Sequence, residues 1–184
     1  MARGVRDRMV ASAILLLAKR GYQATSFSEV LAESQAPRGS IYHHFPEGKD
    51  QLIAAAIDVA GAKAVALLDG LDSESAADIV DGFMAMWRAL LEHSKFTAGC
   101  SVLAVTVSAD SPELLARAGE VFRAWQSRLA ELFAAAGVAG SDAFATTLIA
   151  AAEGAVVLSR AERSFAPFDA VHAQLRSVVA GHGD

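Results

Sequence analysis

An all-α chain is predicted by three features of these 184 residues. Apolar side chains recur at three- and four-residue spacing from end to end, and nowhere do they alternate as a strand requires. Gly, Pro, Ser and Asp gather only where one such run stops and the next starts. The runs divide into a three-helix head over 1–48 and a helical body over 49–184, about nine helices in all.

The first helix runs from about Val5 to Arg20, with Met9, Ala13, Leu16 and Leu17 inward and Gly21 as its C-terminal cap. Arg3, Arg6 and Arg8 precede or open it, where the helix dipole gives cations no benefit. An external anion and a solvated flank both account for them. Ser26 caps a second helix, and Glu29 completes a capping box in which each side chain satisfies the other residue's free N–H. Phe27, Val30 and Leu31 are its apolar stripe. Ser34-Gln35-Ala36 breaks it, and Pro37 fits the first position of a third helix that ends near Phe45, before Pro46 and Gly48.

On that third helix Ile41 and Phe45 share one face, leaving Arg38, Ser40, Tyr42, His43 and His44 to cover the rest. Two helices joined by a short turn form a helix-turn-helix, whose second helix enters the major groove of DNA. Arg38 is placed to reach a guanine edge, and Ser40 a base or a phosphate. Ser26, Tyr42, His44 and Lys49 suit phosphate oxygens. Gly39 lets a duplex approach the backbone. His43 completes the candidate DNA-contacting set.

At these residues the sequence resembles the TetR family of transcriptional repressors. The shared signature reads Gly21-Tyr22, Thr25-Ser26, Val30-Leu31, Ser40-Ile41-Tyr42-His43-His44-Phe45 and Lys49. The stretch APRGSIYHHFPEGKDQL is most similar to the LmrA/YxaF-type branch, in which the Lys stands one residue further from the Phe than is usual. Gln35 occupies a position where the family commonly has Gly, and Pro37 replaces the usual Ser. The turn then requires a left-handed Gln35. The resemblance implies bodies that bind small effectors, often apolar or planar, between their helices, and that pair through their last two helices.

The fourth helix runs from about Lys49 to Leu68, with Leu52, Ile53, Ala56, Ile57, Ala60, Ala64 and Leu67 inward. Its continuity from head to body suits a lever. Ser73 or Ser75 caps a fifth helix to about His93, with Ile79, Phe83, Met86/Trp87 and Leu90 on one face. A short sixth helix opens at Thr97–Cys100 and runs to about Ser108. Asp110-Ser111-Pro112 starts a seventh to about Ala136, showing Leu115, Ala118, Phe122, Trp125, Leu129 and Leu132. The eighth spans Ser141 to about Arg163, and the ninth Pro167 to about Val179.

Phe83, Met84, Trp87, Phe96, Phe122 and Trp125 concentrate bulk opposite an Ala-rich eighth helix, which suits either core packing or an apolar effector site between helices. His93 stands in the last turn of its helix, where a cation is favoured. Glu153, inside LIAAAEGAVVL, must find a partner, protonate or reach solvent. An interface hydrogen bond, an effector contact and an exposed position are all open to it. Small residues around the eighth helix, and Phe168, Val171, Leu175 and Val178/Val179 on the ninth, suit a four-helix homodimer interface.

Composition narrows the classes. Residues 1–50 carry seven basic and five acidic side chains, and the remainder nine and sixteen, so a mildly basic head stands on an acidic body. The longest uncharged run, Phe96 to Ala109, has 14 residues, too few for a bilayer-spanning helix, so no membrane partner is expected. One cysteine and no leader-like N-terminus place the protein in the cytoplasm. No nucleotide-binding, hydrolase or zinc-protease motif appears. His43 and His44 are poor joint metal ligands, Cys100 lies in an apolar run, and no cofactor is expected. The expected function is that of a dimeric repressor that binds a palindromic operator and is released by an apolar or aromatic effector. A helical small-molecule sequestering protein is the rival reading.

Overall fold

The computed structural model describes residues 4–71 and 75–180, and among these it contains nine α-helices and no strand. They are α1 (Val5–Arg20), α2 (Phe27–Ser34), α3 (Ser40–His44), α4 (Lys49–Asp69), α5 (Ala76–Ser94), α6 (Ser101–Thr106), α7 (Pro112–Ala135), α8 (Ser141–Glu162) and α9 (Ala166–Ala180). Arg3, one of the arginines before the first helix, and Ser73, an alternative cap for the fifth, lie outside the described residues. Ser75 is the residue that caps α5, accepting from the Asp78 N–H at 3.1 Å.

The helices form two compact units. One comprises Met1–Lys63 with Cys100–Phe122, the other Ala64–Gly99 with Arg123–Asp184. In the first, α1 packs on α2, α3 and α6. Met9, Ala13, Leu16 and Leu17 are buried there with Val30, Ile41, Phe45, Leu52, Ile53, Ala56 and Ile57. In the second, α5, α8 and α9 pack on one another. Its core includes Phe83, Met84, Leu91, Leu148, Ala152, Phe133 and Phe168.

Two apolar stripes differ from expectation. On α4, Leu68 is buried and Leu67 is 56% exposed. On α7 the inward residues are Leu114, Ala118, Val121, Trp125, Leu129 and Phe133, while Leu115 is exposed and Phe122 and Leu132 are half-buried. A stripe drifts around a long helix because 3.6 residues per turn is not commensurate with whole-residue steps. Either neighbour of a Leu-Leu or Val-Phe pair then satisfies the pattern. On α5 the turn that offers Met86 or Trp87 resolves to Trp87, and Leu91 takes the buried place beyond it.

By length and composition alone α4 and α8 could cross a membrane. Part of their apolar surface serves the cores. Leu52, Ile53, Ala56 and Ile57 of α4 are fully buried, as are Leu148 and Ala152 of α8.

Candidate nucleic-acid interface

Residues 21–49 of the first unit carry the site. The Gly21 N–H bonds to the Leu17 carbonyl at φ +80°, a conformation that favours glycine. The Thr25 hydroxyl donates to the Gly21 carbonyl at 2.8 Å and is buried, which fixes the tight loop into α2. Ser26 caps α2 by accepting from the Glu29 N–H at 3.2 Å. The returning half of the expected capping box is replaced, because the Glu29 carboxylate accepts from Arg20 at 2.8 Å. A nearby guanidinium is the stronger donor.

Gln35 ends α2 in the left-handed region, at φ 52° and ψ 35°, with its N–H on the Leu31 carbonyl. This is the conformation that the turn requires of a residue standing where glycine is common. The third helix is shorter than Pro37–Phe45. Pro37 opens a tight turn whose carbonyl accepts both the Ser40 N–H (3.0 Å) and the Ser40 hydroxyl (2.5 Å), and α3 proper starts at Ser40. A Ser that bonds back three residues stabilises such a turn in competition with a full helical start.

Ile41 and Phe45 seat α3, both at most 1% exposed, and α3 packs on α1. The Arg6 guanidinium lies 5.5 Å from the Phe45 ring centroid, and Arg8 donates to the Ser34 carbonyl at 3.3 Å. The two arginines at the start of α1 therefore brace α2 and α3. The opposite side of α3 is open. Tyr42 is 68% exposed and meets Phe27 edge-on at 5.7 Å. Arg38, Gly39 and His43 are exposed, while Ser26, Ser40 and His44 are half-buried. The His43 and His44 rings lie 5.2 Å apart, and no group of three metal-ligating side chains occurs among the described residues.

Lys49 is the member of the set whose placement the sequence did not suggest. Its ammonium donates to the Tyr22 carbonyl at 2.7 Å and sits 3.8 Å from the centroid of the Tyr22 ring. Burial lowers its pKa, against the opposing pull of Asp50. The Tyr22 hydroxyl donates to Asp50 at 2.7 Å. Burial first, and this hydrogen bond second, push the phenol up to about 12. The Gly21-Tyr22 pair was visible as a motif, but the role of Asp50 left no local signal.

In the second unit, Phe83, Trp87 and Trp125 are buried in consecutive edge contacts of 6.3 and 6.4 Å, with Met84 fully buried on the same helix as Trp87. The Trp87 indole N–H has no hydrogen-bond partner among the described residues. Phe96 is half-buried against Phe165 at 4.7 Å. Phe122 belongs to the first unit. Glu153 is 8% exposed, which removes the exposed alternative. The His93 ring nitrogen Nδ1 lies 2.7 Å from the Ala89 carbonyl, one turn back on its own helix.

Comparison with known proteins places this geometry in context. Residues 10–56 match the family described as bacterial regulatory proteins, tetR family. Residues 76–174 match the C-terminal domain described as transcriptional regulator LmrA/YxaF-like. The chain is 38% identical to the HTH-type transcriptional regulator Rv0196 of Mycobacterium tuberculosis, over 96% of this chain and 94% of that protein. It is 28% identical to the HTH-type transcriptional regulator LmrA of Bacillus subtilis, over 88% and 89% of the two chains. A crystal structure of a TetR transcriptional regulator from Legionella pneumophila superimposes with a TM-score of 0.86 at 23% identity, covering 97% of this chain and all of that one.

Proposed function

The chain belongs to the TetR family of bacterial transcriptional regulators, which are not enzymes, and we propose that it acts as a dimeric repressor released from a palindromic operator by a small effector. One observation carries the DNA-reading part of this proposal. Ile41 and Phe45 are buried while Tyr42 and His43 stand exposed on α3, with Arg38 and Gly39 exposed in the turn that leads into it. Arg38 then reads bases, with Ser40, His43 and Gly39 close to the groove. Ser26, Tyr42, His44 and Lys49 hold phosphates. Residues 1–48 form the reading head, and 49–184 the effector-binding and dimerisation region.

Repression is supported by the HTH-type transcriptional repressor Rv3405c of Mycobacterium tuberculosis, 39% identical over 94 residues. Dimerisation is supported by α8. Its exposed stripe of Thr147, Ala150, Gly154, Val157, Leu158 and Ala161 is uncharged, and Val157 and Leu158 are each about half exposed. Such a stripe suits a two-fold contact. The effector site lies around Phe83, Met84, Trp87, Trp125 and Phe96 in the second unit, and the idle Trp87 N–H offers a fixture to an acceptor on the effector. Phe122, given the same role from the sequence, belongs to the first unit. Effector and operator then weaken each other's binding by one common factor. Location in the cytoplasm follows from this reading.

The test is duplex affinity against salt concentration. A repressor shows a steep negative log–log slope, roughly 0.9 per phosphate neutralised. A small-molecule sequestering protein, the rival, shows no duplex binding at all, and that result overturns the reading.

A further inference from the structure

Lys49 and Asp50 are adjacent in sequence and carry opposite charges, and their side chains converge on one ring. The Lys49 ammonium lies over the face of Tyr22, and the Asp50 carboxylate accepts from its hydroxyl. Among the described residues no ion pair joins the two. Lys49 instead donates one N–H to the Tyr22 carbonyl, which leaves two of its three donors unassigned. A carboxylate this close would ordinarily capture the ammonium, since a charge-assisted hydrogen bond is stronger than one to a neutral carbonyl. The Tyr22 hydroxyl engages one Asp50 oxygen at 2.7 Å.

We propose that Tyr22 is a positioning residue for DNA binding. Its hydroxyl holds the Asp50 carboxylate away from Lys49, and its carbonyl and ring face hold the Lys49 ammonium with two N–H bonds directed to a phosphate. This rests on the reading of Lys49 as a phosphate contact and extends it to two residues that touch no DNA. It accounts for an acidic side chain within the first turn of a helix whose start faces the nucleic acid. The Tyr22 hydroxyl binds the carboxylate as a neutral donor, so no charge on the protein is consumed to restrain it.

The arrangement has a specific consequence. Replacing Tyr22 by Phe keeps the ring and the carbonyl but frees Asp50 to pair with Lys49. The phosphate contact is lost although Lys49 is still present. Removing the freed carboxylate as well restores it.

The experiment uses the full-length protein and a duplex selected by the wild type from random-sequence DNA. Affinity is measured against salt concentration for wild type, Lys49→Met, Tyr22→Phe, Asp50→Asn and the double variant Tyr22→Phe/Asp50→Asn. Lys49→Met should lower the slope by about 0.9, one phosphate contact. Tyr22→Phe should lower it by a similar amount, and Asp50→Asn should leave it unchanged. The double variant should return to the wild-type slope. A Tyr22→Phe slope equal to wild type, or a double variant that stays low, overturns the proposal. In the second case the tyrosine matters only for folding the loop.

A second measurement needs no DNA. The titration of Lys49, followed by NMR of its side-chain methylene next to the nitrogen, should move up in Tyr22→Phe as Asp50 joins it. It should move back down in the double variant. An unmoved Lys49 overturns the proposal even if the wild type selects no duplex, an outcome that would sink the DNA reading itself.

Discussion

Gly61 on α4 and Val121 on α7 approach so closely that a Cβ on the glycine would stand 2.7 Å from one Val121 methyl and 3.0 Å from the other. The two residues belong to the first unit, where Arg117 on α7 also pairs with Asp58 on α4 at 3.2 Å. A β-branched side chain on a helix has one favoured rotamer and cannot turn aside. Gly61 is therefore required by packing and not by backbone conformation.

Gly61→Ala should accordingly destabilise by about 1–3 kcal/mol, the usual cost of overpacking. Adding Val121→Ala should recover part of that loss. Urea unfolding of the two single variants and the double variant checks it. Additive effects would show that the two residues do not share one space.

Gln35→Gly should stabilise the protein by about 0.5–1 kcal/mol. The left-handed conformation at φ 52° costs an L residue more than it costs glycine, and part of the gain is offset by the freer unfolded chain. Thermal unfolding should show a higher midpoint, and a lower one would mean that the Gln35 side chain makes a contact worth more than the strain.

The raised Tyr22 pKa fixes the sign of an alkaline effect. The folded state holds this proton more tightly than the unfolded chain, at about 12 against 10.0. Stability from the group is full below about pH 10 and is lost as the pH rises toward 12. Lys49 has the opposite sign, because its burial cost is relieved as it deprotonates. The difference between Lys49→Met and the double variant Lys49→Met/Tyr22→Phe isolates the phenol, because Lys49 is absent from both. It should shrink between pH 10 and 11.5 in urea unfolding, and a constant difference would contradict the raised phenol, which burial first and the bond to Asp50 second sustain.

Leu158→Glu should convert a dimer to a folded monomer in sedimentation, since it sets a charge in the uncharged stripe of α8. Leu158 is 51% exposed in the single chain, so the variant has no reason to unfold. A wild-type monomer, or a variant that remains dimeric, would remove α8 from the interface.

Much of this was readable from the residues, and the remainder was hidden for definable reasons. Ser26 as a cap and the pair Ile41 and Phe45 as the seat of α3 depend on chemistry within four residues, which a sequence displays, whereas the left-handed Gln35 followed from the family resemblance. The α4 and α7 stripes were ambiguous by one position because adjacent apolar residues satisfy the same periodicity. Arg6, Arg8, Glu29 and Asp50 find partners that only the packing of α1, α2 and α4 supplies. For the same reason Lys49 could be assigned to phosphate from its motif, but its anchorage on Tyr22 could not.

Selection of bound sites from random-sequence duplex DNA tests the central claim most directly. The exposed side of α3, read by a two-fold dimer, predicts enrichment of a palindrome with half-sites centred one helical turn, roughly 34–36 Å, or a multiple of it apart. In the same selection Arg38→Ala should lose preference at one position of each half-site, at a cost of roughly 1–3 kcal/mol. No enrichment by the wild type, or an identical site selected by Arg38→Ala, would contradict the assignment of α3 and Arg38 as the reader.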